Sequence, residues 1–546
     1  MPFSTRLARP FLLALLLPCT LAVRAQPGAA QASAQAFPPE ADAIARAGLA
    51  PGETDNLVAA ATPCVSGRAD VYACNGIDLQ ARLPLSSFGP TAPTTTNEVW
   101  GWTDPQTGKE IALVGLSNGV GFVDVSRPDA PVYLGKLASQ TAGNNSWRTF
   151  RVYRNFLFVG SEAAGHGIQV FNLERLRGVT TATAFAADAR YTGTAAQPVG
   201  NTHTLVINEE TGFLYAVGTR DTTTDPTCGN GGPHMVDIRA PLAPVFAGCI
   251  TTDGYTHEAQ VLVYDGPDAT YRGRELLVMY QGQGSTTVGG QVSFFDVTNK
   301  SAPVRISTAF YPNPGYSHQG WFTPDRRQIL INDEFDTDAR GARTVVLNVA
   351  DLDAPEFAFN YFAPVATYAH NLYVIGRYAY TSNYTSGLRI VDTQTPGAFR
   401  EVASFDTYSQ NDGRAYNGQW MNYPYFASGN IVATDIQNGF FVLRPTGLTT
   451  AGEADAPQTA GGLTLSAPAP NPTTSEARLR LAVDAPQRVR AVLLDVLGRE
   501  AAVLFDGTAD RETDLVVRRG SLAAGTYVVR VTGERGVASR TLIVAR

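Results

Sequence analysis

The sequence lacks an excess of positive charge, which argues against a nucleic-acid-binding surface. Its 42 Lys and Arg residues are outnumbered by 49 Asp and Glu residues, so the formal net charge is −7 at pH 7. Binding to a phosphate backbone needs a basic stripe, and the sequence shows none. With 44% hydrophobic and 17% charged residues, the chain has the composition of a folded globular protein.

Long apolar runs are also missing, except at the N-terminus. There, two arginines precede the apolar run from Phe11 to Val23, and Ala25 completes a small-residue cleavage pattern. This arrangement is typical of a secretory signal peptide over residues 1–25. No later stretch approaches the roughly 20 apolar residues of a membrane helix, so we expect no transmembrane segment. Residues 26–60 are rich in Ala, Pro and Gln and predict a low-complexity tether.

Cysteine is scarce: the chain has five, and one lies in the apolar N-terminal run. The other four, Cys64, Cys74, Cys228 and Cys249, are an even number in a protein that we expect in an oxidising compartment. None has the spacing of a metal site, which favours disulfides over zinc. Of the three connectivities, the sequential pairing of Cys64 with Cys74 and of Cys228 with Cys249 is the simplest.

What the sequence does contain is a repeat with a period of about fifty residues. Seven copies begin near Asn97, Asn145, Gly200, Gly254, Gly315, Thr367 and Ala415. Each complete copy has four short β-rich runs, so residues 61–445 predict an all-β fold, namely a seven-bladed β-propeller. The seventh copy stops after its third strand. We expect residues 77–85 to supply the missing outer strand and to close the ring.

The C-terminal part of the chain differs in composition. Residues 446–462 are typical of a linker, and residues 463–546 predict a small β-sandwich. This tail carries Pro470-Asn-Pro472, Asp495-Val-Leu-Gly-Arg499 and Leu522-Ala-Ala-Gly-Thr-Tyr527. The series resembles the type A sorting domain of bacterial type IX secretion. The resemblance implies recognition by the type IX machinery and export to the cell surface or medium; an ordinary accessory sandwich is the alternative.

The repeat region carries a second resemblance. Its segments Glu98-Val-Trp-Gly-Trp102, Gly254-Tyr-Thr-His-Glu-Ala-Gln260 and Gly387-Leu-Arg-Ile-Val-Asp392 resemble the choice-of-anchor B family, whose members contain LVIVD-type repeats. The resemblance implies a surface domain joined to varying anchoring tails. It implies no particular reaction.

Histidines mark one position of the repeat, just before the first strand of a copy. In antiparallel sheets the start of the first strand and the end of the second lie at the same edge, so nearby acidic turns should open on the same face. The resulting candidate ligand-binding residues are His203, His257, His318, His370, His166, Glu162, Asp333 and Glu334. The first four are candidate metal ligands, because neutral imidazole is the commonest ligand of transition metals. A structural role, in which each histidine locks neighbouring blades together, is the favoured interpretation because the position recurs with the blades.

The sequence names no certain cofactor. A divalent metal, either calcium or a transition metal, is the candidate. Calcium is suggested by the acidic turn from Asn332 to Asp338, although this turn lacks the Gly and the distal Glu of an EF-hand loop. An exposed ring of Tyr and Trp at the channel mouth would suit stacking of a carbohydrate or peptide.

These patterns lead to a functional hypothesis. We expect a secreted or cell-surface propeller that binds a protein, peptide or glycan through its His and carboxylate face. The alternative is a metal-assisted hydrolase or lyase that uses the same histidines, with Glu162, Asp333 or Glu334 as base. A purely structural envelope protein is the third class.

Overall fold

The computed structural model describes residues 61–544, apart from 220–227, 283–290, 337, 447, 449–457, 461, 470–472, 496–499, 523–524 and 535. The predicted signal peptide and tether therefore lie outside the described residues, as does most of the predicted linker. The segment Pro470-Asn-Pro472, residues 496–499 of the motif that begins at Asp495, and residues 523–524 of the motif that begins at Leu522 also lie outside them. In the part of the chain that is described, no helix is long and apolar enough to cross a membrane.

The described residues form 39 strands and few helical turns. The first twelve strands are β1 (Arg68–Ala69), β2 (Tyr72–Asn75), β3 (Ile77–Leu83), β4 (Thr96–Thr103), β5 (Glu110–Leu116), β6 (Gly119–Asp124), β7 (Val132–Ala138), β8 (Arg148–Tyr153), β9 (Phe156–Ser161), β10 (Ile168–Asn172), β11 (Thr183–Phe185) and β12 (Ala189–Tyr191). They are followed by β13 (Thr204–Asn208), β14 (Phe213–Val217), β15 (His234–Asp237), β16 (Val245–Cys249), β17 (Glu258–Val263), β18 (Glu275–Tyr280), β19 (Val292–Asp296), β20 (Val304–Ala309), β21 (Ser317–Phe322), β22 (Gln328–Asp333), β23 (Arg343–Asn348) and β24 (Glu356–Phe362).

The remaining strands complete the repeat region and the C-terminal part. They are β25 (Leu372–Ile375), β26 (Tyr378–Ser382), β27 (Leu388–Asp392), β28 (Arg400–Phe405), β29 (Gln419–Tyr423), β30 (Ile431–Asp435), β31 (Gly439–Pro445), β32 (Gln458–Ala460), β33 (Leu463–Leu465), β34 (Glu476–Val483), β35 (Gln487–Leu494), β36 (Glu500–Ala509), β37 (Glu512–Arg518), β38 (Gly525–Gly533) and β39 (Val537–Val544). The helical turns are α1 (Cys228–Gly231) and two 3₁₀ turns at Leu85–Phe88 and Leu173–Leu176.

The strands from β1 to β31 build seven sheets, numbered here in the chain order of their first repeat strand. Sheets 1 to 7 contain β4–β7 with β11, β8–β10 with β12, β13–β16, β17–β20, β21–β24, β25–β28 with β2 and β1, and β29–β31 with β3. The middle strands of these sheets, such as β5 and β18, are buried along their whole length. Their continuous apolar runs follow from burial on both faces, because each sheet packs between two neighbours.

The first strands of the sheets lie next to each other in a closed cycle. Contacts run from β4 to β8, β13, β17, β21 and β25 in turn, and β29 contacts both β26 and β4. Core residues accordingly lie between consecutive sheets; Val278 and Phe294 of sheet 4 pack with Ile331 and Val345 of sheet 5. This radial succession of antiparallel sheets is the arrangement of a β-propeller, and the all-β prediction is confirmed.

The N-terminal segment is hydrogen-bonded to the last two sheets. Strand β3 pairs with β31, with Ile77 opposite Pro445 and Leu83 opposite Phe440. The hairpin of β1 and β2 extends sheet 6 through β28. The strand expected at residues 77–85 therefore corresponds to β3, although Leu85 belongs to a 3₁₀ turn.

Two disulfides are present, with the sequential pairing that we expected. One joins Cys64 to Cys74 beside the β1–β2 hairpin, and the other joins Cys228 in α1 to Cys249 in β16. Each bond closes a short loop within one end of a sheet. Such bonds are typical of proteins in oxidising compartments.

The second copy departs from the simple repeat. Its segment β11 leaves sheet 2 and pairs in parallel with β7 of sheet 1, while β12 serves as the outer strand of sheet 2. The physical reason is an aromatic anchor: Phe185 packs against Phe122 at 5.6 Å and Phe171 at 5.3 Å between ring centroids. Sheet 2 therefore has four antiparallel strands, but they are not consecutive in the chain.

The C-terminal part forms two further four-stranded sheets. Their strand orders are β32-β33-β34-β37 and β36-β35-β38-β39. Buried and exposed residues alternate along β34 and β35, which is the pattern of sheets with one face toward a core. That core is built from residues of this part, including Leu479, Val489 and Val529.

Candidate metal centre

Four histidines from four consecutive sheets meet at one end of the closed cycle of strands. His203 and His257 directly precede β13 and β17, His318 is in β21, and His370 lies two residues before β25. Successive imidazole centroids are 4.0, 4.5 and 4.3 Å apart. All four side chains are buried, with at most 8% of the residue surface exposed. The shared repeat position thus brings the rings together.

The Nδ1 atoms of three of these histidines are bound to groups outside the cluster. His203 Nδ1 lies 2.5 Å from Glu162 Oε1, and His370 Nδ1 donates to the carbonyl oxygen of Trp420 at 2.6 Å. His257 Nδ1 is within hydrogen-bonding distance of the hydroxyls of Tyr316 and Tyr255, at 2.9 and 3.1 Å. These bonds fix the ring orientations and turn the Nε2 atoms inward.

Two of the inward Nε2 atoms, those of His318 and His370, have the spacing to Glu334 that ligands have on a single ion. His203 Nε2 is 3.1 Å from His257 Nε2, and the Glu334 carboxylate oxygens are 3.8 Å from His318 Nε2 and 4.0 Å from His370 Nε2. The last two distances are too long for hydrogen bonds. Two ligands that each lie about 2.1 Å from one metal ion are separated by about 3.4 to 4.2 Å. The two distances to the Glu334 carboxylate fall in this range.

One subset is especially compact. A donor atom from each of His257, His318 and Glu334 lies within 4.8 Å of the others, and all three side chains are buried. This donor set, two imidazoles and one carboxylate, is of the kind that binds zinc or iron(II) in proteins.

Electrostatics keeps the imidazoles in the form that binds metal. Burial, with smaller contributions from neighbouring histidines, holds the pKa values of His257 and His318 well below their usual range. Burial likewise lowers the pKa of His370 to about 3. The three rings are therefore neutral at physiological pH, as ligands must be. A divalent cation would supply positive charge next to the buried carboxylate of Glu334, which neutral rings cannot.

Glu334 and its neighbour Asp333 face opposite ways, and only Glu334 reaches the histidines. The hydroxyl of Tyr384 donates to Glu334 at 2.6 Å. Asp333 instead accepts the backbone N–H groups of Gly315 and Tyr316, at 2.8 and 2.7 Å, and an ion pair from Arg343 at 2.9 Å. Asp333 therefore does not lie among the converging groups, because successive residues at a strand end point to opposite sides.

His166 is not part of the cluster either. Its Nδ1 is 2.8 Å from the carbonyl oxygen of Gly167, and its Nε2 is 3.3 Å from Arg148 Nη1. Burial lowers its pKa to about 4. From the same turn, Glu162 is the residue that reaches the cluster, through His203.

The acidic turn from Asn332 to Asp338 does not form the suggested calcium site. The carboxylate of Asp336 pairs with Arg343 at 2.7 Å, and that of Asp338 pairs with Arg340 at 2.5 Å. The described carboxylates of this turn therefore point to different partners. Calcium requires several oxygens around one point, and this turn does not provide them.

The chain was compared with protein-family profiles, with curated proteins and with solved structures, and only solved structures match it. No protein-family profile matches the sequence, and none of the curated proteins matches it. The chain is similar to PorZ, a surface component of the type IX secretion system of Porphyromonas gingivalis, at 13% identity and a TM-score of 0.42, over 86% of this chain and 61% of PorZ. It is similar to the periplasmic gluconolactonase PpgL of Pseudomonas aeruginosa at 12% identity and a TM-score of 0.42, over 64% of this chain and 96% of PpgL.

A third similar structure is the β-propeller domain of Cps50 (Swd1) from Myceliophteria thermophila. The identity is 13% and the TM-score 0.38, over 64% of this chain and 96% of that domain. This chain spans less than two thirds of the PorZ chain. At such identities the likeness concerns the fold alone.

Several residues around the centre were not predicted from the sequence. They are the tyrosines at positions 255, 316 and 384 and the backbone carbonyl of Trp420. A signal for the first two was present, because Tyr-x-His recurs as Tyr255-Thr-His257, Tyr316-Ser-His318 and Tyr368-Ala-His370. A backbone acceptor from another sheet leaves no such signal.

Two glycines make room for this arrangement. Gly218 and Gly282 each have a φ of +61°, in the left-handed region that favours glycine. A Cβ atom at Gly218 would lie 2.5 Å from the Cβ of His203, and one at Gly282 would lie 2.6 Å from Cζ of Tyr316. The backbone there approaches the site residues too closely for any side chain.

Proposed function

We propose that this protein is an exported β-propeller whose histidine cluster holds one divalent transition-metal ion. The proposed ligands are drawn from the Nε2 atoms of His203, His257, His318 and His370 and the carboxylate of Glu334. The observation that carries the proposal is the orientation of the rings: Nδ1 of His203, His257 and His370 binds outer groups, while Nε2 of His318 and His370 faces the carboxylate of Glu334. Metal-bound histidines characteristically donate their other ring N–H to a carboxylate or backbone carbonyl.

The donor set favours transition metals over calcium. Imidazole nitrogens suit zinc, copper, iron and nickel, whereas calcium takes six to eight oxygen ligands. Only one carboxylate, that of Glu334, lies among the converging imidazoles in the described part of the chain. Calcium at this centre is therefore not part of the proposal.

Because the histidines are buried, only a small ligand can contact their rings. With exposures between 0% and 8%, the rings cannot serve as a contact surface for a folded protein. An ion, or a small group that enters from the mouth, fits this position. The expected protein, peptide or glycan ligand would have to contact the groups that surround the centre instead.

For an enzyme, the candidate bases are already engaged. Asp333 is bound to Arg343 and to two backbone amides, and Glu162 is bound to the ring of His203. In the described residues, Glu162 therefore acts as a positioning group for His203 rather than as a base with access to substrate. A metal-assisted hydrolase or lyase stays the alternative, and it would require a water on the metal itself.

The same proposal covers the architecture and the route of export. We infer that the seven sheets are seven blades of one propeller, closed by β3, and that residues 463–546 are a β-sandwich sorting domain read by the type IX machinery. The closed cycle of first strands and the separate C-terminal core support this inference. A signal peptide over residues 1–25 would deliver the chain to the periplasm, where the two disulfides can form.

Metal analysis of the purified protein tests the proposal. Wild type, stripped with a chelator and offered zinc, iron(II), copper(II) and manganese(II) in turn, should retain about one equivalent of at least one metal by mass spectrometry and calorimetry. The variant in which His257 and His318 are both replaced by asparagine should retain none. His166→Asn and His234→Asn are matched controls, because both remove buried histidines outside the cluster and should keep the metal.

The result that would contradict the proposal is equally specific. A folded wild type that binds none of the four metals, with cluster variants that lose only stability, would assign the histidines to a structural role.

A further inference from the structure

A continuous set of aromatic rings stands beside the proposed metal centre. It comprises Tyr316, Phe335, Tyr368, Tyr384 and Tyr416, called here the aromatic wall. The centroids of Tyr316 and Phe335 are 4.5 Å apart, those of Phe335 and Tyr416 6.0 Å, and those of Tyr416 and Tyr384 5.4 Å. Tyr368 lies almost parallel to Tyr416 at 4.9 Å. Sheets 5 to 7 and the loops beside them supply all five rings.

The wall begins at the metal ligands and ends at solvent. Tyr316 packs edge-on against His257 at 4.9 Å, and Tyr384 lies 4.6 Å from His370. These two tyrosines are buried, whereas Phe335, Tyr368 and Tyr416 are half-buried. The outer part of the wall therefore presents aromatic surface to a molecule that approaches the centre.

The His203 end of the cluster is polar, and this end and the aromatic wall are together called here the vestibule. It holds Glu162, whose backbone carbonyl accepts a hydrogen bond from Asn201 at 3.2 Å and whose carboxylate binds His203. The half-buried hydroxyl of Tyr255 lies beside His257. A ligand here meets aromatic faces on one side and oxygen groups on the other.

Further along the first strands, away from the histidines, aromatic rings fill the centre. Trp100 of β4 contacts Tyr373 of β25 at 5.9 Å and Tyr423 of β29 at 5.1 Å, and Arg151 lies 4.2 Å above the Trp100 ring. Sheets 1 and 6 are separated by sheet 7 alone, so the Trp100–Tyr373 contact joins two sheets that are not direct neighbours. The half-buried rings of the aromatic wall mark the side on which a ligand can approach the histidines.

We propose that this vestibule binds the ring of a neutral sugar, stacked on the aromatic wall, with hydroxyl oxygens directed at the metal and at the polar side. The inference rests on the proposed metal centre. A sugar ring has an apolar C–H face and several oxygen donors, which match the two sides of the vestibule. The carboxylate of Glu162 can accept hydrogen bonds from sugar hydroxyls and disfavours a ligand that carries its own carboxylate.

The test uses full-length metal-loaded protein and a panel of neutral hexose methyl glycosides. Calorimetry and saturation-transfer NMR should detect binding of at least one of them. Tyr416→Ala and Tyr368→Ala should weaken that binding about tenfold, as expected for the loss of one stacking contact. Tyr425→Ala, which removes a partly exposed tyrosine at the opposite aromatic cluster, is the control and should bind as wild type does.

The metal content of every sample is measured alongside, so that the two proposals fail separately. If the wild-type protein holds no metal, the proposed metal centre is overturned. If metal-loaded wild type binds no neutral glycoside, or binds the methyl glycoside of glucuronic acid or a short peptide more tightly, only the sugar site is overturned. Equal losses in Tyr416→Ala and Tyr425→Ala would also overturn it, because stacking on the wall would then not be the cause.

Discussion

The buried neutral histidines predict a defined pH dependence for the metal-free protein. Burial lowers the pKa of His370 to about 3, whereas a histidine in an unfolded chain titrates near 6.5. Between these pH values the unfolded chain binds a proton that the folded chain does not. The free energy of unfolding therefore falls as the pH falls below 6.5, and above that value the ring is neutral in both states and contributes no pH dependence.

The magnitude for this one ring follows from linkage. Well below pH 6.5, each pH unit costs about 1.4 kcal/mol of unfolding free energy per histidine. His370→Gln removes the titrating group, so the variant should lose about 1 kcal/mol less than wild type between about pH 6.5, where the unfolded ring is half protonated, and about pH 5.5. The absolute stability of the variant will be lower, because the bond to the Trp420 carbonyl and the ring packing are lost.

Buried carboxyls act in the opposite direction over part of this range. Burial raises the pKa of Glu258 and Asp406 to about 7 and that of Asp435 to about 6. These groups take up protons in the folded chain before the unfolded chain does, so they stabilise the fold as the pH falls. For this reason the difference between wild type and His370→Gln, rather than the slope of either protein, carries the test.

The assay is urea unfolding followed by tryptophan fluorescence, with chelator present, at a series of pH values. His234→Gln provides a positive control, since burial lowers the pKa of His234 to about 4 and its removal should have a similar effect over the same interval. Equal pH dependence of wild type and His370→Gln would refute the reasoning, because His370 would then titrate alike in both states.

Three further predictions concern the site and the fold. Glu162→Gln should weaken metal binding about 10- to 100-fold by calorimetry, because it replaces the carboxylate that orients His203; unchanged affinity would show that this contact does not matter. Gly218→Ala should weaken metal binding by displacing His203, whereas Gly273→Ala, with a similar φ of +75° and nothing within 4 Å, should not; equal affinities in both variants would contradict the close-approach argument. Deleting residues 61–83 should abolish cooperative thermal unfolding, because β31 loses its partner β3; an unchanged melting profile would argue against ring closure by this strand.

The convergence of the histidines could be predicted from the sequence because it depends on repetition. His203, His257, His318 and His370 hold one place in successive copies, and equivalent places in neighbouring sheets lie side by side. The alternation of buried and exposed residues along β34 and β35 likewise follows from the local sequence pattern, and so does the recognition that the seventh copy is incomplete. These features need no knowledge of which distant residues touch.

The choice between Asp333 and Glu334 could not be predicted in this way. It depends on the register between β21 and β22, which shifts by one residue between Ser317 and Gln319. A bulge of this kind redirects the side chains that follow it, and the sequence carries no clear mark of it. The parallel pairing of β11 with β7 is equally hidden, because it rests on a long-range aromatic contact of Phe185.

Anomalous X-ray diffraction at the absorption edge of the bound metal tests the central claim most directly. The account predicts one strong peak among the four imidazoles, about 2.0 to 2.2 Å from Nε2 of His257, Nε2 of His318 and an oxygen of Glu334. Crystals of metal-saturated protein with no anomalous peak at this position, and with the 3.1 Å contact between Nε2 of His203 and Nε2 of His257 unchanged, would contradict it.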